Sequence, residues 1–194
     1  AAWLQMKTTA ELRDRARVIT QVGAFATIIT FILAGVWLLF KDGYVVTSVI
    51  DKARYSSPLG KEVVLETGAW FNNYREIPIL WALPILAIVS GLLNIVFSKA
   101  NRSGFAFLFS SLTLAGIIFT CGVSMFPFIM PSITNPNTSL LMWDSTSSHL
   151  TLMIMFVLSL IFVVLLLAYT IWAYAKMFGR LDSNFIEENK SSLY

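Results

Sequence analysis

The chain has 194 residues, of which 57% are hydrophobic and only 13% charged, with a mean hydropathy of +0.72. A soluble domain is nearer half apolar and a quarter charged, so composition disfavours a soluble enzyme, a nucleic-acid binder and a disordered chain. The net charge of +3 comes from 14 Lys and Arg against 11 Asp and Glu, too small an excess for a nucleic-acid groove.

Residues 1–6 read as the last turn or two of a helix whose remainder is absent, so the chain is expected to be a piece of something longer. They run directly into the charged stretch 7–17, which no secretory signal does. Between Arg17 and Lys41 lie 23 uncharged residues, a helix of about 34 Å, enough to cross a hydrocarbon core of roughly 30 Å. The first span is therefore placed at 18–40. A long loop, 41–76, follows. It opens Asp42-Gly43-Tyr44-Val45-Val46, a turn and then a strand-like piece, and after Gly60 carries an amphipathic stretch, 61–66, read as a short surface helix.

The second span is 77–98, the uncharged run between Glu76 and Lys99. Residues 103–143 carry no charge over 41 positions, too many for one crossing. Pro127, Pro131 and Pro136, with Asn135 and Asn137, break the run, which gives a third helix over 105–130 and a polar turn. The fourth span is 150–175, before a tail over 176–194. The expected fold is an all-α membrane protein, a single transmembrane domain over 1–194 with four helices packed as a bundle. Nine Lys and Arg fall on the amino-terminal segment, the turn between the second and third spans, and the tail; five fall in loop 41–76. The positive-inside bias puts both ends of the chain in the cytoplasm and the long loop outside. Trp37, Trp81 and Trp172 lie near span ends, where amphipathic rings favour the interface.

Membrane helices associate through small residues and interhelical hydrogen bonds. Gly23, Thr27, Thr30 and Ala34 offer such a face on the first span. Pro84, Ala87, Gly91, Asn94 and Ser98 do so on the second, and Ala106, Ser110, Thr113, Gly116, Thr120 and Ser124 on the third. Residues 158–167 of the fourth are nearly all Leu, Ile, Val and Phe, as on a lipid-facing helix. Bundle packing is the reading of these stripes, ahead of a lined pore.

No span contains an ionisable side chain apart from Cys121, Tyr169 and Tyr174, which argues against a proton wire of the chain's own. Met125, Met130, Met142, Met153 and Met155 have the chemistry to ligate haem, but methionine in apolar helices is usually flexible filler. One histidine, His149, excludes bis-histidine haem ligation within the chain, and one cysteine, Cys121, excludes an intrachain disulfide. His149 reads as an interfacial residue at a helix start, with Asp144 and His149 as polar groups at a water inlet the weaker alternative. Ser147 or Ser148 is expected to cap the fourth helix, and Cys121 to be buried and inert. No catalytic, cofactor-binding or metal-ligating residue is assigned.

Several blocks resemble the second subunit of cytochrome bd quinol oxidase. They are residues 42–46, Gly68-Ala69-Trp70, Pro78-Ile79-Leu80-Trp81-Ala82-Leu83-Pro84, Phe109-Ser110-Ser111-Leu112-Thr113-Leu114-Ala115 and Met125-Phe126-Pro127-Phe128 with Met130-Pro131-Ser132. Met142-Trp143-Asp144 with Thr146-Ser147-Ser148, Lys176-Met177-Phe178-Gly179-Arg180 and the terminal Ser192-Leu193-Tyr194 match as well. The resemblance implies half of a nine-helix subunit, its carboxy-terminal half, carrying helices six to nine in a bacterial inner membrane. It implies a complex that oxidises ubiquinol or menaquinol from the quinone pool and reduces dioxygen to water. The two b-type haems and the d-type haem would be held by subunit I, and no haem by this chain. The implied partners are subunit I, the amino-terminal half of subunit II and membrane lipid, with a structural quinone as a further ligand of subunit II and no nucleic acid. The alternative, half of a secondary transporter, would favour broken helices in corresponding places; Pro84 and Pro127 do not correspond.

Overall fold

Each of the four uncharged runs carries one long helix. In the computed structural model, which describes residues 1–8, 10–48 and 60–176, the order is α1 (Ala2–Lys7), α2 (Ala10–Leu39), β1 (Asp42–Val46), β2 (Val63–Thr67), α3 (Asn72–Glu76), α4 (Ala82–Lys99), α5 (Ser103–Met125), β3 (Phe128–Met130), β4 (Leu140–Leu141) and α6 (His149–Lys176). Short 3-10 turns at Ala69–Phe71 and Pro78–Trp81 lead into α3 and α4. Among the described residues, four helices are long and apolar enough to cross a bilayer, so the chain is a helical membrane protein. The tail expected over 176–194 lies, beyond Lys176, outside the described residues.

Three of these elements differ from the sequence expectation. The first helix, expected over 18–40, begins at Ala10, the charged residues before 18 continuing it. The third span ends at Met125, not 130, because Phe126 precedes Pro127 and the residue before proline is pushed out of the helical region; the chain there becomes β3. Loop 61–66 is not a surface helix. Its β-branched Val63-Val64 belong to β2, which pairs antiparallel with β1 from Asp42↔Thr67 to Val46↔Val63. Pairing with a β-branched partner strand outweighs the helical spacing of its charges.

The described residues form two compact units. In the first, drawn from 1–41 and 70–124, the helices meet on small side chains. Ala87, Ser90, Gly91, Asn94 and Ser98 are the buried residues of α4, and Ser103, Ala106, Thr113 and Gly116 those of α5, which are faces of the predicted spacing. Helix α2 differs: Ala16, Thr20 and Ile28 are buried, while Gly23, Thr27, Thr30 and Ala34 are exposed. The hydroxyls of Thr27 and Thr30 donate to Gly23 O and Ala26 O of their own helix, so neither needs a partner across the interface. The α4–α5 turn is a Schellman motif. Arg102 N–H donates to Phe97 O at 3.0 Å and Asn101 N–H to Ser98 O at 3.3 Å, with Asn101 at φ 60°, a conformation asparagine tolerates better than most residues. Helix α1 is tied to the end of α4 by a reciprocal pair, Gln5 Nε2 to Ser98 O (3.2 Å) and Ser98 Oγ to Gln5 Oε1 (2.9 Å).

Tyr74 latches α3 to α5. It is 2% exposed, and its hydroxyl donates to Thr120 O at 2.9 Å; beside it Asn73 Nδ2 donates to Val123 O at 2.7 Å. Burial holds the phenol above its ordinary value of 10.0, against the lowering contacts with Ser124 and Thr120. A folded value raised in this way means that its contribution to stability is complete below about pH 10 and is lost as pH rises through the folded value. Tyr74→Phe is expected to cost about 1–2 kcal/mol and to remove a component of the tyrosinate absorbance near 295 nm that titrates above the ordinary value. An unchanged alkaline titration in the variant would show that Tyr74 is not the shielded phenol.

In the second unit, drawn from 42–69 and 125–176, two hairpins share a small core. Val63, Phe128 and Leu141 are buried, flanked by Tyr44, Val46 and Trp143. Val63 N–H donates to Asn137 Oδ1 at 2.8 Å, and Tyr44 OH to Ser132 O at 3.1 Å. Helix α6 contains no buried residue.

Candidate functional site

The sequence offers few groups with reactive chemistry, and the fold scatters them. Met125 ends α5, Met130 ends β3, Met142 follows β4, and Met153 and Met155 lie on α6; all five are exposed. His149 is the first residue of α6 and exposed. Haem needs axial donors facing one cavity, and among the described residues none of these side chains converges on another across a pocket. No group of three or more His, Cys, Asp or Glu with metal-binding proximity occurs among them either.

Cys121, expected to be buried, is exposed. It follows Thr120, and one residue turns a helix by about 100°, enough to carry it off the Thr113–Gly116 face. Ser148 takes the capping place: its hydroxyl accepts from Thr151 N–H at 3.4 Å and shares a 2.9 Å hydrogen bond with Thr151 Oγ1.

Asp144 does not pair with His149. Its carboxylate meets Lys61 Nζ in an ion pair whose side chains are only 5% (Lys61) and 8% (Asp144) exposed, and Asp144 Oδ2 also accepts Leu141 N–H at 3.1 Å. The pair joins the residue ahead of β2 to the turn after β4. Sequence reasoning missed it because 83 positions separate the partners. The available signal was a lysine beside a strand-forming Val-Val step, facing an otherwise uncharged segment around Asp144.

These features define a polytopic helical membrane protein with two short β-hairpins formed by the segments between its spans. Residues 1–177 match the family described as cytochrome bd terminal oxidase subunit II, and the chain belongs to that family. It is 66% identical over 194 residues to a Haemophilus influenzae protein described as "Probable cytochrome oxidase subunit 2", covering all of this chain and 51% of that protein. It is 51% identical over 195 residues to cytochrome bd-I ubiquinol oxidase subunit 2 of Escherichia coli K12, covering all of this chain and 52% of that one. The chain thus spans about half the length of the curated relatives it matches.

Proposed function

We propose that this chain is a structural, non-haem-ligating part of a bd-type quinol oxidase, a complex that oxidises quinol and reduces dioxygen to water. The observation that carries the reading is the 51% identity, across the whole chain, to a ubiquinol oxidase subunit 2. The chain acts as the carboxy-terminal half of that subunit, packed beside the amino-terminal half and against subunit I. The b and d haems reside in subunit I, a division supported by the scattered, exposed methionines and His149 of this chain. The Lys and Arg distribution supports an orientation in the bacterial inner membrane with both ends of this segment cytoplasmic and loop 41–76 outside.

The test is purification from membranes through a tag on this chain. Haem absorption and quinol oxidase activity are expected to travel with the assembled complex. After separation of the subunits in mild, non-denaturing detergent, this chain is expected to carry no haem. A tagged preparation without haem absorption overturns the oxidase reading, and stoichiometric haem on the separated chain overturns the division of labour.

A further inference from the structure

Residues 1–17 and 99–102 meet at one end of the first unit and carry six Lys and Arg against two carboxylates, Glu11 and Asp14. Both acids are engaged within α2: Glu11 pairs with Arg15 one turn on, and Asp14 with Arg17 at 3.5 Å. Arg13, Lys99 and Arg102 belong to no ion pair among the described residues. The fold gathers these three. Arg13 Nη2 donates to Asn101 O at 3.2 Å, in the turn between Lys99, the last residue of α4, and Arg102, the residue before α5. The Gln5–Ser98 pair brings α1, and with it Lys7, to the same end.

Arg13 is half-buried, and its Nε–H has no acceptor. That nitrogen is too enclosed for a ligand to reach; it shows instead that the guanidinium is incompletely solvated. Among the described residues its hydrogen-bond partner is one neutral carbonyl. A cation partly withdrawn from water and matched only by a carbonyl lacks a counter-charge.

The depth of this corner says which anion meets it. The first uncharged run starts at Val18, so Arg13 stands five residues, about 7.5 Å, beyond it along the helix. A bilayer of about 40–45 Å around a core of roughly 30 Å leaves a headgroup layer of about 5–8 Å on each side. Arg13 and the 99–102 turn thus lie at the level of the lipid phosphates. Trp3, whose ring centroid is 5.3 Å from Lys7 Nζ, is the kind of side chain that settles at that level.

We propose that Arg13, Lys99 and Arg102 hold the phosphodiester of an anionic phospholipid between α2 and the α4–α5 turn. Arginine forks match phosphate oxygens and the lysine adds a point charge, the arrangement by which basic pockets at the ends of membrane helices take anionic headgroups. A zwitterionic headgroup would bring its own ammonium against three cations. The inference rests on the spans and on these charges, and stands independently of the oxidase reading.

The test is native mass spectrometry of the complex, purified in mild detergent through a tag on this chain and exchanged into micelles holding phosphatidylglycerol and phosphatidylcholine in equal amounts. The unaltered complex is expected to retain phosphatidylglycerol in preference. Lys99→Gln with Arg102→Gln is expected to lose one retained phosphatidylglycerol per complex, its affinity for that lipid falling at least about tenfold. These two side chains make no hydrogen bond or ion pair among the described residues, so the pair tests the site even if Arg13→Gln assembles poorly. Lys41→Gln with Arg75→Gln removes the same charge at the other end of the spans and is expected to leave the count unchanged. Millimolar inorganic phosphate is expected not to displace the lipid; displacement would mark a free-phosphate site and overturn the lipid assignment. An unchanged count in Lys99→Gln with Arg102→Gln would mean that another protein segment covers the corner. Equal losses in the two pairs would mean that net charge alone draws the lipid. Either result overturns the proposal.

Discussion

Lys61→Met is expected to lower the stability of the hairpin unit by about 3–5 kcal/mol, the cost of leaving a buried charge without its partner. The Lys61 and Asp144 side chains are 5% and 8% exposed, so solvent screens little of their interaction. Asp144 keeps the Leu141 N–H at 3.1 Å after the lysine is gone, but one amide does not neutralise a desolvated carboxylate. The consequence spreads through β2: Lys61 stands two residues before Val63, whose N–H is held by Asn137 Oδ1 and whose side chain belongs to the small core. The double replacement Lys61→Met with Asp144→Leu is expected to recover most of the loss, because two apolar groups of similar volume carry no charge to desolvate. What remains is the unpaired Leu141 N–H, about 1–2 kcal/mol. Thermal unfolding of the detergent-solubilised protein, read by protease cleavage at the hairpins, measures both. Equal losses in the single and double variants would mean that packing volume, not charge pairing, holds this corner.

That ion pair also marks the boundary of what the sequence discloses. The four spans were legible because a bilayer excludes charge, so an uncharged run of 22 or 23 residues marks a crossing, although not the helix ends: α2 starts at Ala10, among charged residues. The α4 and α5 faces were legible for a related reason: without water to expel, only small residues at helical spacing let backbones approach. On α2 the same rule misled. Gly23, Thr27 and Thr30 have the spacing, but the threonines satisfy their hydroxyls within the helix, and Ile28 fills the space over Gly91 instead. Outside the spans the signal weakens further. Residues 61–66 have helical charge spacing and β-branched valines at once, and which prevails depends on β1, nearly 20 residues earlier. Asn94 was legible as part of a packing stripe; that its carbonyl lacks a donor follows only from the positions of α2 and α5 around it.

The largest effect within the helices is expected at Gly116. A Cβ built there would stand 3.0 Å from the Cα, Cβ and backbone N of Ala87, so α5 rests on the backbone of α4 itself. Backbone cannot rotate out of the way. Gly116→Ala already forces the two helices apart, and Gly116→Leu is expected to cost about 3 kcal/mol or more through overpacking, seen as a sharp fall in folded protein extracted from membranes. Gly91 supplies the contrast. A Cβ at that position meets Ile28 Cδ1 and Cγ1 at 2.9 Å, a shorter distance but to a side chain that can shift where backbone cannot, while alanine also favours the helix over glycine. Gly91→Ala is therefore expected to change stability by less than about 1 kcal/mol. Leu160→Ile on α6, where Leu160 is 57% exposed, is expected to leave yield unchanged. The ordering of the two glycines is the discriminating result, because a rule based on distance alone reverses it. Should Gly91→Ala cost as much as Gly116→Ala, the α2 contact with α4 would be as rigid as the α5 contact, and the close approach at Ala87 would no longer explain why a glycine stands at 116.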